Sequence, residues 1–280
     1  METVSMSMPN YSYVFKFEED FAEKERRQWM HENWYVSIYY IGAYMVFIVL
    51  GQHYMQSRPR FELRNTLALW NFFLAVFSII GTMRTAPEMI FVLRHFGLHH
   101  SCCVAGPSFV QNNTVSAFWS YLFTMSKVPE LGDTVFIVLR KQPLIFLHWY
   151  HHVTVLIFTW YSYSDYITTA RWFVNMNYFV HSMMYSYYAF KALRYRVPRW
   201  ISVTITTCQL AQMIVGCLIN FYAYHVKTSG GECDVSYLNI NLSLVMYFSY
   251  FALFAHFFHK AYLAKKPDRS VTNGAVKKVE

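Results

Sequence analysis

The sequence predicts an all-α polytopic membrane protein with seven transmembrane helices in one domain. Three observations lead there. Of 280 residues, 55% are hydrophobic and only 14% charged, against roughly a quarter charged in a soluble domain. The apolar residues gather in runs close to the ~20 positions that a helix needs to cross a bilayer. Short basic gaps separate the runs, and in lipid only helices and closed barrels satisfy their own backbone amides. The 23 Tyr and 8 Trp suit interfacial belts and polar-lined helix contacts.

Residues 1–33 are acidic and polar, with no apolar core of a signal peptide. They include an amphipathic stretch, 21–34, expected at the membrane surface. Span one covers 34–52, and Arg58, Arg60 and Arg64 follow it. Span two covers 65–83. The long gap 84–115 holds Pro87, Pro107, Cys102 and Cys103, with a short interfacial helix expected at 89–96. Span three covers 116–139 and stops at Arg140 and Lys141. Spans four and five cover 144–163 and 167–189. Lys191, Arg194, Arg196 and Arg199 crowd the next gap, before span six at 200–222 and span seven at 237–262. The helical domain is thus 34–263, between an N-terminal segment, 1–33, and a tail, 264–280.

Lys and Arg concentrate in the gaps 58–64, 140–141 and 191–199 and in the tail, against Arg84, Arg94, Arg171 and Lys227 on the other side. The positive-inside rule then puts the C-terminus in the cytosol and the N-terminus in a lumen or outside. Basic residues confined to short gaps argue against nucleic-acid binding. Cys102, Cys103 and Cys233 fall on the non-cytosolic side, where disulfides persist. One bridge is expected there, with Cys103–Cys233 the chosen pairing and free thiols the alternative. Cys208 and Cys217 read as packing residues. Asn112 and Asn10 head glycosylation sequons.

Polar residues inside the spans point to function. His148, His151 and His152 stand at i, i+3 and i+4, on one helix face. Ionisable groups at such depth are functional candidates by default. Lys127, Glu130 and Asp133 lie near one stripe of span three, either as a neutralised cluster or with Asp133 or Glu130 orienting an imidazole. On span five, Asn177, His181, Tyr185 and Tyr188 form a polar face with Tyr187 on its flank, and Asn177 is placed to hold a ring nitrogen of His181. Gln209 and Gln212 with Thr206 on span six read as helix glue or as substrate lining. His256 on span seven is a ligand contact or a satisfied core histidine. All these groups fall in the cytosolic half, so one buried site is expected. A mouth of Lys141, Arg194 and Arg196 would suit phosphates, and the apolar walls would suit an alkyl chain.

Three classes compete. The histidines could bind di-iron for lipid desaturation or hydroxylation, but His95, His99 and His100 lie across the membrane from His148, leaving too few ligands. An imidazole could act as an acyl nucleophile. A seven-helix binding protein would leave the polar groups without a purpose.

The runs Lys127-Val128-Pro129-Glu130-Leu131-Gly132-Asp133-Thr134, His148-Trp149-Tyr150-His151-His152, His181-Ser182-Met183-Met184-Tyr185-Ser186-Tyr187-Tyr188 and Thr206-Thr207-Cys208-Gln209-Leu210-Ala211-Gln212 resemble the four ordered signatures of the ELO family, the fatty-acid elongases of the endoplasmic reticulum. The resemblance covers roughly 30–265, and the Trp in the histidine box is most similar to members that elongate saturated and monounsaturated chains. It implies condensation of acyl-CoA with malonyl-CoA to 3-oxoacyl-CoA, CoA and carbon dioxide, with no metal or other cofactor. It implies seven helices, six of them enclosing an acyl tunnel closed toward the lumen. Carried over, His151 is the nucleophile, with His148 and His152 supporting it. Asp133 and Glu130, beside Lys127, orient the imidazoles, and His181 and Asn177 serve the thioester end. Tyr185, Tyr187, Tyr188, Gln209, Gln212 and His256 would line the substrate. Partners implied are the reductase, dehydratase and enoyl reductase of the elongation cycle, and a second copy of the chain. Lys277-Lys278-Val279-Glu280 resembles a dilysine retrieval signal.

Overall fold

The structure is a computed structural model in which residues 11–104, 113–165 and 167–264 are described. Asn10, Asn112 and the dilysine end lie outside the described residues. Every described element is helical. In chain order these are α1 Lys16–Glu19, α2 Glu23–Asn33, α3 Val36–Gln56, α4 Arg64–His95, α5 Gly97–Cys103, α6 Thr114–Ser126, a 3-10 turn at Pro129–Leu131, α7 Gly132–Leu139, α8 Phe146–Ser164, α9 Ala170–Ala192, α10 Arg199–Thr228, α11 Tyr237–Phe258 and a π turn at His259–Leu263.

Four of them, α3, α4, α10 and α11 with its π turn, are long and apolar enough to cross a membrane. Their outer faces carry apolar surface, with Ile38, Tyr39, Val46 and Val49 exposed on α3 and Phe72 and Phe73 on α4. Surface of this kind marks a lipid or protein interface. Helices α8 and α9 have 19 and 23 residues. Imidazoles on the first, and Arg171, Asn177, His181 and Lys191 on the second, dilute their apolar character.

Three expectations are corrected. Span two does not end at 83: α4 continues to His95, with Pro87 inside it. The charges that suggested a gap are partnered within the bundle, since Arg84 pairs with Glu18 and Arg171 Nε lies 2.9 Å from Glu88 Oε1. Span three is not one helix. Pro129 brings no N–H and its ring clashes with the preceding turn, so α6 stops at Ser126 and α7 restarts at Gly132 after the 3-10 turn. The N-terminal stretch does more than lie at the surface. Met30 of α2 is fully buried against Leu156 and Trp160 of α8, an apolar burial of about 1.5–3 kcal/mol.

Helix α4 lies along α9 and α10 along α11. The largest hydrophobic cluster joins Phe158, Phe173, Met213, Cys217, Tyr247 and Tyr250, with Cys103 and Cys233 at one end. Cys103 and Cys233 form a disulfide, and the amide of Asp234 donates to Cys103 O at 2.8 Å beside it. Cys217 is buried and Cys208 half-buried. Gly216 admits the Tyr247 ring, because a Cβ there would stand 2.6 Å from it.

Candidate active site

The chain after α7 turns through Lys141, whose φ is 52°, and runs extended at Ile145 into α8. The histidine box therefore occupies the first two turns of a helix. At that spacing the rings meet: centroids are 4.5 Å apart for His148 and His152, and 5.7 Å for His151 and His152. They line a cavity of about 430 Å³ among α7, α8, α9, α10 and α11, together with Asp133, Asn177, His181, Tyr185, Tyr187, Tyr188, Thr206, Gln209 and Gln212. Its remaining walls are mainly apolar, with Val180, Met184, Ile205, Met213, Phe254 and Phe257. One-turn neighbours on single helices explain most of this convergence.

The acids do not orient the imidazoles. Asp133 Oδ1 accepts from Trp70 Nε1 at 2.6 Å, and Oδ2 accepts from Tyr185 Oη at 2.9 Å. Trp70 reaches it because the neighbour is Gly132, where a Cβ would stand 2.9 Å from the indole. Glu130 Oε1 accepts from Lys127 Nζ and Ser126 Oγ, both at 2.7 Å. It is Thr134 Oγ1 that lies 2.9 Å from His148 Nε2. Neither carboxylate has a box imidazole among its hydrogen-bond partners.

Lys127 and Glu130 are buried but sit behind the cavity wall. Lys127 Nζ lies 3.5 Å from Asn177 Oδ1, and Asn177 Nδ2 lies 3.2 Å from His181 Nε2. An ammonium only donates, so the amide oxygen faces Lys127 and the NH2 faces the ring. His181 Nε2 is then the acceptor, and the neutral ring carries its proton on Nδ1.

Other nitrogens are left free. His151 Nδ1 and His152 Nδ1 are buried without a hydrogen-bond partner among the described residues, as is Gln212 Oε1. Buried polar atoms are nearly always paired, so three in one cavity mark where a ligand's polar groups belong.

Three expected contacts are misplaced. His256 is exposed on α11 and lines no part of the cavity. Lys141 Nζ donates to Gln56 O and Arg58 O at 3.2 and 3.0 Å, satisfying carbonyls at the end of α3. Its left-handed backbone turns it that way. Arg196 is exposed and lines neither cavity. Arg194 lines a neighbouring cleft of about 510 Å³ with Arg60, Arg64, Arg140 and Lys191. This basic cleft shares Asp133, His148 and Tyr188 with the first cavity. Sequence reasoning missed Trp70, Tyr44, Met184, Phe254, Phe257 and Tyr262. Aromatic and Met residues on apolar spans carry no signal of their direction; only Gly132 hinted at a close approach.

Among the described residues, no three of His, Cys, Asp and Glu converge as a metal-ligand set. The model of the family described as ELO: GNS1/SUR4 matches residues 29–270. Very long chain fatty acid elongase 6 of Drosophila melanogaster is 62% identical over 258 residues, which is 91% of this chain and 81% of that relative. The human protein of the same description is 48% identical over 251 residues, 90% of this chain and 93% of its own. Putative fatty acid elongase 3 of Caenorhabditis elegans is 44% identical over 258 residues, 92% and 80% of the two chains.

Proposed function

The chain belongs to the ELO (GNS1/SUR4) family, and from this premise we propose that it elongates fatty acids by condensing a long-chain acyl-CoA with malonyl-CoA. The observation that carries the reading is the pair of unpartnered nitrogens, His151 Nδ1 and His152 Nδ1. They sit in a cavity with polar groups on one part of its wall and apolar side chains on the rest, and it shares walls with a basic cleft. The cavity fits the alkyl chain and thioester of an acyl-CoA, and the cleft of Arg60, Arg64, Arg140, Lys191 and Arg194 fits its phosphates.

In this mechanism an imidazole nitrogen of His151 attacks the thioester carbonyl, and CoA leaves as its thiolate. Malonyl-CoA then loses carbon dioxide, leaving a thioester enolate. The enolate carbon attacks the acyl-imidazole carbonyl, forming 3-oxoacyl-CoA and freeing His151. His181, protonated at Nδ1, is placed to donate to a developing enolate oxygen. Asp133 fixes Tyr185 at the wall. His152 supports the nucleophile as its neighbour, and Lys127 and Glu130 hold Asn177.

The finer membrane reading is part of the same proposal. Counting α6 and α7 as one broken crossing and adding α8 and α9 to the four apolar helices gives seven. Five of these, the broken crossing and α8 to α11, line the acyl cavity. The basic cleft faces the cytosol, the Cys103–Cys233 disulfide faces the lumen of the endoplasmic reticulum, and the tail is cytosolic. Saturated and monounsaturated chains are the preferred substrates, no cofactor takes part, and the reductase, dehydratase and enoyl reductase of the cycle consume the product. The di-iron alternative finds no support in the arrangement of ligands: His95, His99 and His100 lie on α5 or at the end of α4, far from the box.

Purified protein given labelled malonyl-CoA and a ladder of acyl-CoA lengths tests the proposal. Labelled 3-oxoacyl-CoA with release of carbon dioxide is the expected result. Absence of product at every chain length would overturn it.

A further inference from the structure

Three helices meet at one hydroxyl. Thr134 of α7 is fully buried; its Oγ1 lies 2.7 Å from Tyr44 Oη of α3 and 2.9 Å from His148 Nε2 of α8. Helix α3 turns most of its surface outward, yet Tyr44 is only 5% exposed. Ser37, Ile48 and Met55 are buried with it, at spacings that place all four on one inward face. Among the described residues, Tyr44 Oη has Thr134 as its single partner, and Thr134 Oγ1 has only these two.

Each hydroxyl has one proton to give, which limits the network to three neutral arrangements. In the first, Tyr44 donates to Thr134 and Thr134 donates to His148 Nε2; every proton has an acceptor. In the second, His148 Nε2–H donates to Thr134 and Thr134 donates to Tyr44. The phenol proton of Tyr44 is then buried with nowhere to go, and an unpaired buried donor is what folded proteins avoid. In the third, Tyr44 and His148 Nε2–H both donate to Thr134, whose own buried proton then has no acceptor. The first arrangement wins.

We propose that Tyr44 is a positioning residue for condensation: through Thr134 it holds His148 in the tautomer protonated at Nδ1, making His148 a hydrogen-bond donor to the substrate thioester rather than a nucleophile. The proposal rests on the elongase reading for the substrate and on the network alone for the tautomer. It divides the box by role. The Nε2 lone pair of His148 is occupied by Thr134 and its Nδ1 carries the proton, so no nitrogen of His148 is free to attack. His151 and His152, with unpartnered Nδ1 atoms, remain as candidates for acylation. Tyr44 thereby gives a helix that contributes no motif residue a part in the chemistry.

The test uses full-length protein in lipid nanodiscs with ¹⁵N-labelled histidine, the His148 signals being assigned by their loss in His148→Gln. The wild type is expected to show Nε2 as the unprotonated, pyridine-type nitrogen and Nδ1 as the protonated one. Tyr44→Phe keeps the ring and removes the proton donor. It should mix the two tautomers and lower kcat about tenfold at unchanged KM for acyl-CoA, the rate equivalent of one hydrogen bond. Thr134→Ser should keep the wild-type tautomer and Thr134→Val should lose it, which gives the same reading should Tyr44→Phe fail to fold. A protonated Nε2 in the wild type would overturn the proposal. So would Tyr44→Phe with tautomer and kcat both unchanged, or with a lower melting temperature as its only effect. A sample that condenses no acyl-CoA but shows the expected tautomer would sink the elongase reading and leave the network standing.

Discussion

The two ends of the α4–α9 pair treat buried polar groups in opposite ways. At one end Glu88 accepts from Arg171, which also donates to Ser101 O at 2.7 Å, and Glu18 gathers both Arg84 and the indole of Trp119. Toward the other end, about 27 Å along α4 from Glu88 to Trp70 at 1.5 Å per residue, the box histidines keep ring nitrogens without partners. Charge that meets its complement holds helices together. Polar atoms left unmatched in a cavity are available to a ligand. Ionisable side chains are thus ion-paired at one end and face a cavity at the other, a difference that composition does not show; among the described residues Trp160 Nε1 and Thr169 Oγ1 are unpartnered as well.

That contrast can be broken in several ways. The largest effect expected is on His151→Ala, which should lower malonyl-CoA turnover at least about 10³-fold while leaving the melting temperature near that of the wild type. A protein that melts early instead would place His151 among the architectural groups. Arg171→Met should do the reverse. It strands Glu88 as an unpaired buried carboxylate, at about 3–5 kcal/mol of stability, and a thermal melt in detergent reads the loss. Turnover per folded molecule should stay at the wild-type level, and a fall in it would blur the two ends.

Asp133→Asn is the intermediate case, because both oxygens of Asp133 are hydrogen-bonded and it lies in the cavity wall. The amide offers one acceptor where Trp70 and Tyr185 need two. Charge-assisted hydrogen bonds are worth about 1.5–3 kcal/mol, so kcat should drop roughly 10–100-fold, with a smaller change in melting temperature. The smallest effect concerns pH. Burial raises the Glu18 carboxyl, but hydrogen bonds from Arg84, Trp119 and the Phe15 amide hold it below its usual 4.5. A lowered folded pKa means its contribution is present above the unfolded value and is lost as pH falls through the folded one. Melting temperature should therefore decline on acidification below about 4.5, and Glu18→Gln should flatten that decline. An unchanged acid slope in the variant would show that Glu18 does not couple the N-terminal segment to α4.

Much of this was legible in the chain. Continuous apolar runs gave α3, α10 and α11, and spacing of three and four gave the shared face of the box and the Asn177–His181 contact. A bridge between the two gaps was expected from placing Cys102, Cys103 and Cys233 on one side, but that Cys103 rather than Cys102 pairs with Cys233 was a choice the sequence did not force. What stayed hidden depended on partners far away in sequence. Span two was ended at 83, before Arg84 and Glu88, whose partners Glu18 and Arg171 lie 66 and 83 residues off. Pro129 was read through as part of one span, and its helix-stopping chemistry outweighs the apolar periodicity around it. Nothing local showed that Asp133 would bond Trp70 and Tyr185 rather than an imidazole, or that a left-handed turn at Lys141 would take its ammonium out of the mouth.

The central claim is that a box imidazole carries the acyl group, and one measurement addresses it directly. The protein is incubated with acyl-CoA in the absence of malonyl-CoA, released CoA is counted, and the peptides are weighed. The account predicts about one CoA per active site, the acyl mass on the peptide holding His151, and neither in His151→Ala. No release of CoA, or an acyl mass carried by any residue other than a box histidine, would contradict it.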